Sequence, residues 1–111
     1  MKVFLLFALV LLSTSGLCAE PEMSQLVEAA KAGNSEAMYA IFFSIVKKST
    51  PEKPISDIER QTAAYWLIKA GESKNFRAAN VLALCYEKGC FGVPVDPEKA
   101  RYFKKLAEPA P

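Results

Sequence analysis

The sequence predicts an all-α protein whose helices, about five after the leader, form antiparallel pairs stacked as a short α-solenoid. Segments with helical spacing of apolar residues are separated by glycine, asparagine and proline turn signals. No segment shows sustained alternation of apolar and polar residues, so no sheet is expected. Alanine and aromatic positions also recur at a period of about 36 to 40 residues, which is typical of helical repeat proteins.

The first residues are predicted to be a secretory signal peptide at residues 1–19. Lys2 gives a positive start, Val3 to Leu12 is an unbroken apolar run, and residues 13–19 are small or weakly polar. The apolar run is too short for a membrane-spanning helix. We therefore expect export to the periplasm of a bacterium without stable membrane insertion.

Cleavage is expected after Ala19, or alternatively after Gly16, which leaves one small helical domain at residues 20–111. Cys18 raises the alternative of a lipid anchor. The bulky Leu17 before it disfavours that alternative, since a small residue precedes a lipid-modified cysteine. Cys18 is therefore expected to be removed with the leader.

Composition excludes several classes of function. The formal net charge is +2 and no long basic run is present, so nucleic acid is not an expected partner. The sequence has no histidine, which removes serine and cysteine triads and the usual zinc sites. Glycines do not cluster into a phosphate-binding loop, and no carboxylate pair stands in a catalytic frame. We expect no cofactor, no metal and no enzymatic activity.

Helix boundaries follow from capping residues and breakers. Ser24 is predicted to cap the first helix, Gly71 to close the third, and Asp96 to cap the fifth with Pro97 at its first position. Pro109 and Pro111 are expected to fray the tail. The predicted helices run from Ser24 to Ala32, Ser35 to Val46, Asp57 to Ala70, Asn75 or Phe76 to Gly89, and Pro97 to about Ala107.

The helices predicted from Ser35 onward fall into two related pairs. The first helices of the pairs align at an offset of about 41 residues and the second helices at about 37, because the loop of the first pair is longer. Small residues recur where helices would approach closely, and large apolar residues, Trp66 among them, recur where they would fill the space between pairs. The matched positions are Ala37 and Ala78, Ile41 and Leu82, Phe42 and Ala83, Ile45 and Tyr86, Ala63 and Ala100, Trp66 and Phe103, and Ala70 and Ala107.

The second pair resembles the Sel-1-like repeat, a relative of the tetratricopeptide repeat. The resemblance rests on "AANVLALCYEKG", "GVPVD" and "EKARYFKKLAE", with these matching residues: Ala78, Leu82, Ala83, Tyr86, Gly89, Gly92, Val93, Asp96, Lys99, Ala100 and Phe103. The first pair departs from the pattern at Phe42 and Ile45, and it lacks the Gly-Val connection. The resemblance implies a solenoid that binds proteins, and small exported members include immunity partners of secreted antibacterial effectors.

Cys85 and Cys90 lie at the end of the fourth predicted helix. If Gly89 is its left-handed terminating residue, these cysteines occupy the two positions that touch in a Schellman ending, and the N–H of Cys90 would bond the carbonyl of Cys85. In an exported protein this spacing favours a disulfide. Two free buried thiols and a redox centre are the alternatives; two cysteines without histidine rarely complete a zinc site.

An apolar stripe on the second and fourth helices predicts a partner-binding patch. On the concave side of a solenoid its residues would form one surface, unless the N-terminal helix or the loop covers them. The predicted patch comprises Tyr39, Phe43, Val46, Phe76, Asn80 and Leu84.

The favoured hypothesis for function is a periplasmic module that binds another protein, either an envelope protein or a secreted effector, through this concave face. Exposed apolar surface would also suit a homodimer. One alternative is a scaffold subunit of the cell envelope. Another is a β-lactam-binding or β-lactam-hydrolysing enzyme, as cysteine-rich relatives imply, although this chain lacks their dense cysteine pattern.

Overall fold

A computed structural model describes residues 22–108, and this part of the chain forms five α-helices without a β-strand. The helices are α1 (Met23–Lys31), α2 (Ser35–Val46), α3 (Asp57–Glu72), α4 (Phe76–Lys88) and α5 (Pro97–Ala107). The all-α prediction is confirmed. The predicted signal peptide at 1–19, Cys18, Pro109 and Pro111 lie outside the described residues.

Short polar side chains begin the last four helices, because each accepts a hydrogen bond from an otherwise unpaired backbone N–H of the first turn. Asn34 accepts from Ala37 N at 3.1 Å, and Asn75 accepts from Ala78 N at 3.0 Å. The start of α3 has a capping box with Ser56 and Glu59, and α5 has Asp96 as its N-cap and a proline at its N-terminal end. The predicted bounds of α2, α4 and α5 therefore agree with the structure to within one residue.

Two predicted boundaries are wrong. The first helix begins after Glu22 and not at Ser24, since the backbone N–H of Glu22 donates to the side chain of Gln25 at 3.2 Å. Gly71 does not close α3 but lies buried inside it. A Cβ at Gly71 would collide with Leu82 of α4 and crowd Phe103 of α5, so the glycine lets three helices approach closely.

Packing between helices that follow one another in the chain builds one hydrophobic core. Alanines at the contact faces allow close approach, and larger residues fill the remaining space. Ile41, Leu67 and Leu82 are among the most deeply buried side chains. Trp66 is half-buried against this core, whereas Phe103 is buried and stacks on Tyr86 with ring centroids 5.8 Å apart.

The two helix pairs, α2 with α3 and α4 with α5, share local geometry at the offsets found in the sequence. The connections before α2 and before α4 both end a helix with a residue of positive φ, Gly33 (102°) and Lys74 (67°), which is followed by an asparagine cap. In both connections the asparagine N–H donates to a carbonyl five residues earlier, as in a Schellman motif. The T-shaped pairs Tyr65–Trp66 and Tyr102–Phe103 also correspond.

The end of α4 is fastened by the cysteine pair. The sulfur atoms of Cys85 and Cys90 lie at disulfide distance, and their Cα atoms are 4.9 Å apart. The predicted hydrogen bond differs, because Gly89 (φ 82°) and not Cys90 donates to the Cys85 carbonyl, at 2.7 Å. The helix thus ends on a single 5→1 bond, and because Gly89 has a ψ of 119°, outside the left-handed helical region, the ending is not a Schellman motif.

A tight turn follows the cysteine pair. Phe91 and Gly92 at its centre both have positive φ, as a type I′ turn requires, and Val93 N donates to Cys90 O at 2.8 Å. Positive φ is costly for a residue with a side chain. The strained position aims Phe91 at Phe42 of α2, where the two rings meet edge to face at 5.4 Å.

Candidate functional site

Two residues of the predicted patch, Tyr39 and Val46, are half-buried and pack against the core. The ring of Tyr39 lies 5.7 Å from that of Phe42, and the Arg77 guanidinium of α4 lies 6.0 Å from its centroid. A cation at this distance stabilises an exposed ring by about 0.5–1 kcal/mol. Tyr39 therefore contributes to the joint between the two helix pairs, and only part of its surface is open.

Phe43 is 51% exposed and lines a groove of about 360 Å³ between α1 and α2. Met23 and Leu26 of α1 form the opposite wall of this α1–α2 groove, and the Lys47 ammonium lies 5.9 Å from the Phe43 ring. Helix α1 thus flanks Phe43 without covering it, which answers the sequence-based alternative that the N-terminal helix hides this residue.

Asn80 and Leu84 lie together in a second groove, of about 300 Å³, between α4 and α5. The α4 wall of this α4–α5 groove consists of Asn80, Ala83, Leu84 and Glu87. The α5 wall consists of Pro97, Ala100, Arg101 and Lys104. Each wall is one stripe at i, i+3, i+4 and i+7, so the groove follows about two turns of both helices.

The structure therefore divides the predicted patch. It brings Asn80 and Leu84 into one groove and sets Phe43 in the other, while Phe76 stands 59% exposed at the start of α4. Leu84 is 53% exposed and Phe43 is 51% exposed at the corresponding position 41 residues earlier. Exposed apolar side chains thus recur at equivalent places on α2 and α4.

The joint between the two pairs is polar at the starts of α2 and α4. Asn75 is 4% exposed, and its amide donates to Glu36 of α2 at 2.8 Å and to the Ser35 hydroxyl at 3.4 Å. Arg77 lies 3.6 Å from the same Glu36 carboxylate. Because a buried amide without partners is unfavourable, these contacts fix how α4 begins against α2.

One surface carboxylate, that of Glu59, has two contacts that favour its charged form. The backbone N–H of Ser56 donates to Glu59, and the Lys48 ammonium lies 3.3 Å from the same carboxylate. These contacts lower the pKa of Glu59 below its usual value, the hydrogen bond being the larger cause. The group lies at the start of α3, where it completes the capping box, and its partner Lys48 also lines the α1–α2 groove.

Residues 22–108 contain neither a metal-ligand cluster nor a membrane-spanning helix. In this range no three carboxylate or cysteine side chains come together as metal ligands. No described helix has the length and apolar character needed to cross a bilayer. Cys85 is fully buried and Cys90 half-buried, so the pair lies within the helix ending and not on an open surface.

The sequence did not predict the α5 wall of the α4–α5 groove. Pro97, Arg101 and Lys104 occupy polar or terminal positions of a single amphipathic helix, where they resemble ordinary surface residues. A comparison of the two pairs contains the signal, since Arg101 and Lys104 replace Ala64 and Leu67, which are buried on α3.

Protein-family models, curated proteins and solved structures contain no match to this chain. The Sel-1-like resemblance thus rests on the residues quoted for it and stays a prediction.

Proposed function

We propose that this chain is a non-enzymatic interaction module of the Sel-1-like type, exported to the periplasm, where it binds another protein. In this proposal α2 with α3 and α4 with α5 are antiparallel pairs that stack as a short solenoid. The matching asparagine caps, positive-φ residues and tyrosine–aromatic pairs support such a repeat. The leader-like sequence at residues 1–19 supports export.

The observation that carries the binding function is the exposure of large apolar side chains on α2 and α4. Phe43, Phe76 and Leu84 each keep more than half of their surface exposed. Full burial of such a side chain is worth about 1.5–3 kcal/mol, so a partner that covers all three gains substantial free energy. Lysines line the same grooves as Phe43 and Leu84, which suits a partner with acidic residues at the rim of its binding surface.

The test is affinity capture by the mature domain from the envelope of its own cell, with the bound proteins identified by mass spectrometry. We expect one stoichiometric partner, whose capture is lost with the double variant Phe43→Ser/Phe76→Ser. The matched control is Ile58→Ser/Tyr65→Ser, which removes two exposed apolar residues of α3 outside the patch. A partner that both double variants retain equally, or a chain that captures nothing, contradicts the proposal.

The sharper form of the proposal is that the partner is a secreted antibacterial effector and this chain its immunity protein. The Sel-1-like resemblance motivates this form, by analogy alone. Its test is protection: cells that produce the effector in the periplasm should survive only with the unaltered chain, and the Phe43→Ser/Phe76→Ser variant should fail to protect. Survival with that variant would contradict the immunity role while leaving a binding role open to the capture test.

A further inference from the structure

The surface of α2 that faces the second helix pair is covered by the protein itself. The ring of Phe42 contacts Phe91 at 5.4 Å between centroids, and the ring of Tyr39 lies beneath the Arg77 guanidinium. Both covering residues belong to α4 or to the connection after it. One face of the first pair is therefore closed by a helix of the same chain and by the segment that follows it.

Within residues 22–108, no element covers the corresponding surface of the second pair. Ala83 and Asn80 occupy the places of Phe42 and Tyr39, 41 residues further along, and both line the α4–α5 groove. No described helix follows α5 to cover them. Because Ala83 is much smaller than Phe42, the second pair also leaves unfilled the space that an aromatic ring occupies in the first pair.

The chemistry of this groove differs from that of its covered counterpart in one further respect. Arg101 and Lys104 of α5 stand where α3 has Ala64 and Leu67, and both basic side chains are exposed. Neither forms an ion pair with another residue in the range 22–108. The groove thus combines a floor of small residues, Ala83 and Ala100, and a basic wall from α5 with an α4 wall that carries Leu84 and one acidic residue, Glu87.

We propose that the α4–α5 groove binds one acidic amphipathic helix of the partner protein. A large apolar side chain of that helix lies over Ala83 and Ala100, and its carboxylates lie beside Arg101 and Lys104. This inference rests on the proposed function and names the chemistry of the partner. Helix-in-groove binding fits the paired i, i+3, i+4, i+7 stripes, and a helix already covers the corresponding surface of the first pair.

Charge complementarity selects a partner over a second copy of this chain. The apolar residues Leu26, Val27 and Ala30 of α1 already pack against the core, which leaves Met23 as the large exposed apolar residue of that helix. Helix α5 is itself rich in lysine and arginine, so its own groove would repel it. Helix α3 of a copy does carry the exposed residues Ile58 and Tyr65, but the Lys69 ammonium lies 5.8 Å from the Tyr65 ring centroid, so that face would bring a cation toward the basic wall.

The test uses two synthetic helical peptides of about 16 residues that share the same leucine and phenylalanine stripe. One has glutamates along the flanks and the other has lysines at those positions. Fluorescence anisotropy with the mature protein should show binding of the acidic peptide and at least about tenfold weaker binding of the basic one. Adding salt should weaken the acidic complex, since both basic residues are exposed.

Variants locate the binding site. Lys104→Glu should lower the affinity for the acidic peptide by about tenfold or more, whereas Lys105→Glu should change that affinity by less than about threefold. The two substitutions alter adjacent exposed residues by the same charge, and only Lys104 lines the groove. Ala83→Trp should also block binding by filling the floor, and its circular dichroism spectrum reports whether the fold is retained.

Several results would overturn the inference. Equal binding of the two peptides, or equal effects of Lys104→Glu and Lys105→Glu, would remove the role of the basic wall. A mature protein that is dimeric in sedimentation and becomes monomeric with Lys104→Glu would show that a second copy occupies the groove.

The outcomes for the groove and for the proposed function are separable. If the captured partner is lost with Phe43→Ser/Phe76→Ser but kept with Lys104→Glu and Ala83→Trp, the binding function stands and the groove inference fails. If the acidic peptide binds as expected while capture finds no partner, the groove inference stands and the proposed function fails.

Discussion

The two helix pairs share a local plan but differ in what surrounds them. The pair α2–α3 contacts both α1 and α4, whereas α4–α5 contacts only the first pair among the described helices. The asparagine caps record the difference: Asn34 is exposed and bonds its own helix, while Asn75 is buried and also holds Glu36. Equivalent residues thus make different contacts, because Asn75 lies between the two helix pairs and Asn34 does not.

The pairs also differ in how their internal connections are held. Ser44 and Ser49 stand in the first pair at the positions that correspond to Cys85 and Cys90. The first connection is longer and is anchored by the Lys48–Glu59 ion pair, while the second has the cysteine pair and a tight turn. The cysteine pair thus lies in the helix pair that contacts fewer described helices.

The largest expected effect on stability comes from removing Phe42, the aromatic residue whose place in the second pair is taken by Ala83. Phe42→Ala should lower the free energy of unfolding by about 3–5 kcal/mol, because it empties a buried site and removes the contact with Phe91. Phe43→Ala is the matched control, since the same change at an exposed neighbour should cost about 0.5 kcal/mol. Urea denaturation of both variants measures the difference, and equal losses would mean that Phe42 does not hold the pairs together.

The cysteine pair offers the next largest effect. Cys85→Ala/Cys90→Ala should lower the free energy of unfolding by about 2 kcal/mol, the chain-entropy value for so short a loop. Reduction of the unaltered protein should produce a similar loss and should leave the double variant unchanged. Thiol titration of exported protein under denaturing conditions completes the test: two reactive thiols would show that the bond does not form.

Gly33 and Lys74, the residues of positive φ before α2 and α4, can each be replaced by the residue type of the other. The expected changes in the free energy of unfolding are smaller than those above. Lys74→Gly should raise the free energy of unfolding by up to about 1 kcal/mol, because relief of the left-handed conformation exceeds the added entropy of the unfolded chain. Gly33→Lys should lower it by about 1 kcal/mol, and no atom lies near enough to Gly33 for a clash to contribute. Thermal melts that shift both variants in the same direction would contradict the equivalence of the two connections.

The smallest expected effect concerns pH and belongs to the first connection alone. The pKa of Glu59 is lower in the folded protein than its usual value of 4.5, so its contribution to stability is present above that pH. This contribution is lost as the pH falls through the folded pKa. Glu59→Gln keeps a capping side chain but not the charge, so its stability should fall less between pH 6 and pH 3 (about the range of carboxylate titration). Parallel urea titrations at the two pH values measure the change, and identical slopes for both proteins would remove the role of this carboxylate.

Much of the fold could be predicted from the sequence because caps and breakers act locally. Asn34, Asn75 and Asp96 set helix starts through hydrogen bonds within their own first turns, so three helices were bounded to within one residue. Gly71 was misread because its cost inside a helix is offset by packing against Leu82, which is 11 residues further along the chain. Ser24 was misread because a reciprocal bond between Glu22 and Gln25 defines the start of α1.

The candidate site was harder to predict from the sequence. A groove forms only where two helices pack side by side and no third helix covers them. Periodicity on one helix identified Asn80 and Leu84 as exposed, and the structure joins them to a wall from α5. Whether Phe43 and Leu84 act on one partner depends on the relative placement of distant helices, which local patterns do not encode. The sequence does contain one indication of the α5 wall, since Lys104 occupies in the second pair the position that Leu67 occupies in the first.

The turn at Cys90–Val93 connects the cysteine pair at the end of α4 to a contact with the distant helix α2. The bonded cysteines are separated by five positions, yet the turn that they steady presents Phe91 to a ring near the beginning of the described chain. Reduction of the cysteine pair would therefore weaken the contact between Phe91 and Phe42 as well as the end of α4.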